Sequence, residues 1–239
     1  MYKKLVLFDI DGTIMDWPPE HKNAYAFAIK EVFGVDAELV ARMGMTDQQI
    51  ITETCLNAGI DEKSIELKMG EIMRVMCDYF KKEMKDGKVN VYDGAKEFLE
   101  ELKQRGFLIG VVTGNLQEIA KIKLAKAGLG KYFEPGLGGF GSDHIIRTEL
   151  VKLAIRRAEE EFGFEYGENV YSIGDAPSDM IAGREGGAFR CIGITTGHHS
   201  AEQLKEAGAD FVFPNLKERE EILREMEVGE AGAETSNKS

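Results

Sequence analysis

The chain has 239 residues, enough to bury a substantial core in one large domain or two smaller ones. Its 42 Asp and Glu outweigh 30 Lys and Arg, and the resulting formal charge of -12 argues against broad binding to nucleic acid or to an acidic membrane surface. Cys55, Cys77 and Cys191 are odd in number and widely spaced, with no metal-ligand pattern. No run approaches the ~20 apolar residues of a membrane span, and the acid-bearing first strand does not look like a signal peptide, so a soluble cytoplasmic protein is expected.

The apolar run Leu5 to Phe8 stops abruptly at Asp9-Ile10-Asp11-Gly12-Thr13, the pattern of a buried strand that delivers charge to a sheet edge. Asp9 and Asp11 are two apart and share a face if the chain is extended; unneutralised, they raise each other's pKa. That fits one nucleophile or metal ligand beside one general acid. Gly12 allows a tight turn, and Thr13 offers a hydroxyl. The prolines at 18 and 19 break regular structure and mark a linker. From Glu20 to about Lys85 the spacing is helical throughout, as in Ala24, Phe27, Ala28 and Val32, and no strand is evident, so a small helical bundle is inserted after the first strand.

A second composition begins at Val91. Asp93 is a candidate cap for a helix over 95–104, followed by a strand over 107–112 that runs into Thr113-Gly114-Asn115, and then by a helix over 117–127. The glycine-rich passage 135–143 lacks the setting of a nucleotide-binding loop and reads as a flexible connection. Further along come a helix over 148–162, a strand over 169–173 ending in Gly174-Asp175-Ala176-Pro177-Ser178-Asp179, a strand over 189–195, a short helix near 201–206, a short strand near Phe211 and a last helix over 216–226. Residues 229–239 have the composition of a disordered tail. The architecture expected is an α/β fold: an open parallel doubly wound, Rossmann-like sheet (1–15 and 90–228) carrying an all-helical cap (16–89).

In such sheets the ligand crevice lies beyond the carboxyl ends of the strands. Three strands end there in polar groups: Asp9 with Asp11, Thr113 with Asn115, and Asp175 with Asp179. So many carboxylates in one place require a cation, and an oxygen-rich donor set suits Mg²⁺. The hydroxyl and backbone amides at Thr113-Gly114-Asn115 could hold phosphoryl oxygens.

The segments Asp-Ile-Asp-Gly-Thr at 9–13, Val-Val-Thr-Gly-Asn at 111–115 and Gly-Asp-Ala-Pro-Ser-Asp at 174–179, with the helical insertion between the first two, resemble in order and spacing three motifs of the haloacid dehalogenase superfamily, within which the sequence looks most like the phosphoglycolate-phosphatase-like branch. The resemblance implies a phosphatase acting on a small phosphorylated metabolite. Asp9 would be the nucleophile that becomes an aspartyl-phosphate, and Asp11 the acid and base at the leaving group and water. Asp9, the backbone carbonyl of Asp11 and Asp175 would hold Mg²⁺, with Asp179 a further ligand or a support behind the ligands. Thr113, Gly114, Asn115 and Thr13 would surround the phosphate. The second aspartate of the first motif, absent from true dehalogenases, points to phosphate esters. The family also needs a Lys or Arg before the last acidic motif. Arg147, just before the helix that precedes that motif, is the first choice, and Lys152 the challenger.

Trp17 and His21, beside the hinge into the insertion, could meet substrate or simply pack. His198-His199 reads as a surface loop, because neighbouring side chains diverge. Three alternatives compete: a phosphosugar mutase of the same fold, a signalling receiver domain, which would be far shorter and lack the insertion, and an inactive phosphate-binding module, against which every required acid is present.

Overall fold

The computed structural model describes residues 2, 4–41 and 44–227. Six strands form one parallel sheet: β1 (Leu5–Phe8), β2 (Leu108–Thr113), β3 (Gly138–Phe140), β4 (Val170–Gly174), β5 (Arg190–Ile194) and β6 (Phe211–Phe213), in the order β3-β2-β1-β4-β5-β6. The strand carrying Asp9 is therefore central, flanked by the strands that end at Thr113 and Gly174. All four residues of β1 are fully buried, as its unbroken apolar run requires for a strand covered on both faces.

The helices are α1 (Pro19–Phe33), α2 (Asp47–Asn57), α3 (Glu62–Glu83), α4 (Ala95–Gln104), α5 (Gln117–Lys126), α6 (Arg147–Phe162), α7 (Pro177–Gly186), α8 (Ala201–Glu206) and α9 (Arg219–Glu227). One face of the sheet packs Val6, Phe8, Val111 and Tyr171 against Phe98, Leu102 and Leu223; the other packs Leu5, Leu7 and Val112 against Leu150, Val151 and Ala154 of α6. Helices α1, α2 and α3 build a cluster of their own around Tyr25, Ile29, Ile51, Ile72, Met76 and Phe80, which Leu116 and Ile119 enter from the start of α5. The two chain segments leading to and from these helices run side by side: Asp16 donates its amide to the Asn90 carbonyl (3.0 Å) and Tyr92 donates to that of Ile14 (3.0 Å).

Two local elements differ from what the sequence pattern predicts. The glycine-rich passage is not merely a connection, since its centre is the edge strand β3, paired with β2 through Val111–Gly138 to Thr113–Phe140. The strand escapes a pattern-based reading because it is made of close approach rather than of side chains: a Cβ on Gly139 would collide with the Leu150 carbonyl of α6. Asp93 does not cap α4. The cap position belongs to Gly94 in a left-handed conformation (φ 84°), and Asp93 instead pairs with Lys217 at 2.6 Å. The tail expected over 229–239 lies outside the described residues. Among the described residues, no helix is long and apolar enough to cross a membrane.

Candidate active site

Each acid occupies its place because a strand ends there. Beyond Phe8 the chain leaves the sheet through Asp9 and Ile10 and turns at Gly12, whose φ of 90° is readily available only to glycine. Asp175 follows β4 directly. Asp179 sits in the first turn of α7 behind Pro177, and its Oδ2 accepts the Ala176 amide at 2.9 Å, satisfying one donor of the helix start.

Asp9, Asp175 and Asp179 each present a carboxylate oxygen to a common point, all within 4.8 Å of one another, and all three side chains are buried. Burial, with Asp179 and Asp11 nearby, raises Asp9 to about 7 despite the opposing pull of Arg147. Burial, with Asp179 and Asp9, raises Asp175 to about 8. Asp175 Oδ2 has no hydrogen-bond partner, while a Cβ at Gly12 or Gly197 would collide with it. Buried carboxylates held this close, with a free lone pair and room kept clear by two glycines, fit a hard divalent cation.

Arg147, the first residue of α6, is the cation that lies beside these acids. Its Nη2 donates to Asp9 Oδ1 at 2.6 Å and lies 2.6 Å from Asp179 Oδ1, with only 9% of the side chain exposed. Lys152 belongs elsewhere: it is on the exposed side of α6, paired with Glu149 at 2.8 Å. The two positions are five residues apart, or about 140° around a helix, so only one can face the crevice. Thr13 is also displaced from its expected role. Its buried hydroxyl donates to Asp175 Oδ1 (3.0 Å), bracing a carboxylate rather than facing the pocket.

Thr113 and Asn115 occupy the tip of β2. Thr113 Oγ1 accepts from the Asn115 amide (3.3 Å) and from Asn115 Nδ2 (2.7 Å), which leaves its own O–H to donate. Gly114 lies beneath the insertion: its carbonyl accepts the Asp47 amide (2.8 Å), and a Cβ there would strike the Met45 carbonyl. Asp11 lines the same pocket but is not one of the three clustered acids. Lys123 Nζ donates to both its oxygens (2.8 and 2.6 Å), and Asn115 Nδ2 donates to Oδ2 (2.7 Å).

The helical insertion supplies the other wall of the pocket through Trp17, His21, Tyr25, Met45, Asp47 and Ile50. His21 is buried, and its Nδ1 accepts from Trp17 Nε1 (2.8 Å) and Lys123 Nζ (2.9 Å), so the ring hydrogen belongs on Nε2, 3.3 Å from Asp47 Oδ2. Burial and then Lys123 lower the His21 pKa, keeping the ring neutral. Asp47 also accepts from Tyr25 Oη (2.6 Å) and the Leu116 amide (2.7 Å), and these donors with His21 outweigh burial and lower its pKa. Lys123 and Asp47 escaped the sequence reading. The available signal was a lysine one turn after Ile119 and Ala120, on the buried face of α5. His144 is exposed and turns its Nδ1 to the Ile146 amide, and His198 is exposed on a loop.

Acids that need a cation, an arginine and a free hydroxyl beneath a helical roof define an enzyme that handles an anionic group. Residues 6–193 match the model of the haloacid dehalogenase-like hydrolases. The chain belongs to that family. It is 26% identical over 226 residues to a phosphoglycolate phosphatase of Vibrio parahaemolyticus, covering 92% of this chain and 96% of that one. Two solved structures share the fold. One is a hydrolase from Pseudomonas syringae (TM-score 0.66, 20% identity, 94% of this chain and 99% of that one). The other is CbbY from Rhodobacter sphaeroides in complex with phosphate (TM-score 0.70, 18% identity, 90% and 96%).

Proposed function

We propose that the chain is a Mg²⁺-dependent phosphatase that hydrolyses a small phosphomonoester through an aspartyl-phosphate on Asp9. The observation that carries this reading is the convergence of Asp9, Thr113, Arg147, Asp175 and Asp179 on one pocket, drawn from the ends of three adjacent strands and the start of two helices. The names of relatives such as the Vibrio phosphoglycolate phosphatase support a small phosphorylated metabolite as substrate.

In this scheme Arg147, the Thr113 hydroxyl and the backbone around Gly114 and Asn115 bind the phosphoryl oxygens and stabilise the charge they carry in the transition state. An Asp9 oxygen attacks phosphorus. The new O–P bond forms as the ester P–O bond breaks, and the bonding pair leaves on the alcohol oxygen. Asp11, which enters this step protonated, gives that oxygen its proton. Water then attacks the same phosphorus and passes a proton to Asp11; the bond to Asp9 breaks, and inorganic phosphate departs with both groups restored. Asp9, Asp175 and Asp179, with the main-chain carbonyl of Asp11, would hold Mg²⁺, which when bound neutralises phosphoryl charge. Residues 16–89 act as a cap over a catalytic core made of 1–15 and 90–228.

The test is a screen of phosphorylated metabolites for Mg²⁺-dependent phosphate release, with sugar phosphates also assayed for isomerised product. Asp9→Asn should abolish release while the protein stays folded. Normal turnover by that variant would sink the mechanism, and isomer without free phosphate would favour a mutase.

A further inference from the structure

Lys123 is fully buried, and it sits where an apolar side chain would pack readily among Leu116, Ile119 and Ile122. An ammonium group taken out of water costs several kcal/mol unless its donors are matched. Here they are: Asp11 Oδ1 and Oδ2, Asn115 Oδ1 (2.6 Å) and His21 Nδ1 surround Nζ. These acceptors come from three places, namely the turn after β1, the tip of β2 and, through His21, the inserted helix α1. Asp11 follows a strand end and is the only partner of Lys123 given a chemical step in the scheme above.

We propose that Lys123 is a positioning residue for Asp11: from helix α5 it fixes the plane of that carboxylate for its step at the leaving-group oxygen. A carboxylate on a glycine-flanked turn has two free torsions, and two bonds from one ammonium to both oxygens, with a third from Asn115, leave it a single orientation. Asn115 is tied into the same unit, because its Oδ1 accepts from Lys123 while its Nδ2 reaches Asp11 and Thr113. The group that binds phosphate and the group that serves the leaving oxygen are thereby held by one cation. The inference rests on the reading of Asp11 as the acid.

The test compares kcat/KM, which reports phosphoryl transfer to Asp9, for an alkyl phosphate whose alcohol needs a proton to depart and for p-nitrophenyl phosphate, whose phenolate does not. Lys123→Met should lower kcat/KM for the alkyl ester by about a hundredfold, and for the nitrophenyl ester by less than about tenfold, the pattern Asp11→Asn should also show. Adding Lys123→Met to Asp11→Asn should cost little more than Asp11→Asn alone, as expected of residues acting as one unit. Equal losses on both esters, or additive losses, would overturn the proposal and leave Lys123 a structural residue. If Lys123→Met does not fold, Lys123→Gln, which retains an NH₂ donor group without the charge, carries the same comparison; failure of both to fold also overturns it. Should Asp11→Asn show no preference between the esters, the reading of Asp11 fails instead, and that control separates the two.

Discussion

Replacing Arg147 by alanine removes the one guanidinium placed between Asp9 and Asp179. Both contacts are 2.6 Å and the side chain is 9% exposed, so little water can take its place. Breaking a buried pair of this kind costs about 3–5 kcal/mol, because the remaining charges stay buried without a partner. The loss should be smaller at low pH, where Asp9 and Asp175, raised to about 7 and about 8 by burial, can answer by holding protons. For a chain of this size 3 kcal/mol corresponds to a fall in thermal midpoint of roughly 6–12 °C. Turnover should fall further, by about a hundredfold to a thousandfold, the usual effect of deleting a buried donor that stabilises transition-state charge. Lys152→Ala is the matched control. Its pair with Glu149 is half exposed, so a loss of no more than about 0.5 kcal/mol and unchanged kcat are expected. Thermal melts at pH 8 without metal and phosphate release at saturating Mg²⁺ measure both. An Arg147→Ala variant within about threefold of the parent, or a Lys152→Ala variant equally impaired, would refute the placement of the phosphate-binding cation.

Three further outcomes follow. Without metal, the folded protein holds protons on Asp9 and Asp175 up to about 7 and about 8, whereas the unfolded chain releases them near the ordinary 3.8. Their contribution to stability is therefore present at low pH and lost as pH rises through 7 to 8, so the rise in melting temperature on adding Mg²⁺ should be larger at pH 8 than at pH 6; a shift independent of pH would contradict this. Asp47→Asn keeps the shape but sets an NH₂ group among three donors, from Tyr25, His21 and Leu116, and should cost about 2–3 kcal/mol in denaturant unfolding. A cost below about 0.5 kcal/mol would show that this contact between α2 and the start of α5 is not a determinant of stability. Gly12→Ala meets both a φ of 90° and the Asp175 carboxylate, so Mg²⁺ affinity measured by calorimetry should fall, and undiminished binding would argue against Asp175 as a ligand.

The sequence by itself determined the sheet, its helical insertion and the acids at the strand ends, because each is a local pattern: a run of apolar residues long enough to cross a sheet, a change of period, a turn residue after an acid. Asp9, Asp175 and Asp179 were legible for the same reason, since a parallel sheet aligns the carboxyl ends of its strands whatever the loops do. Tertiary structure alone decided which cation joins them. Arg147 and Lys152 lie on one helix with similar surroundings in sequence, and the distinction is which face of α6 turns toward β1. It also decided the contacts of Thr13, whose hydroxyl donates to Asp175, and of Lys123, which a local pattern shows only as a charge on a helix. The edge strand β3 belongs with these. Backbone approach through glycine leaves no periodic signal, and contacts among residues far apart in the chain, such as Lys123 with Asp11 or Asp47 with Leu116, exist only once the insertion has settled onto the sheet.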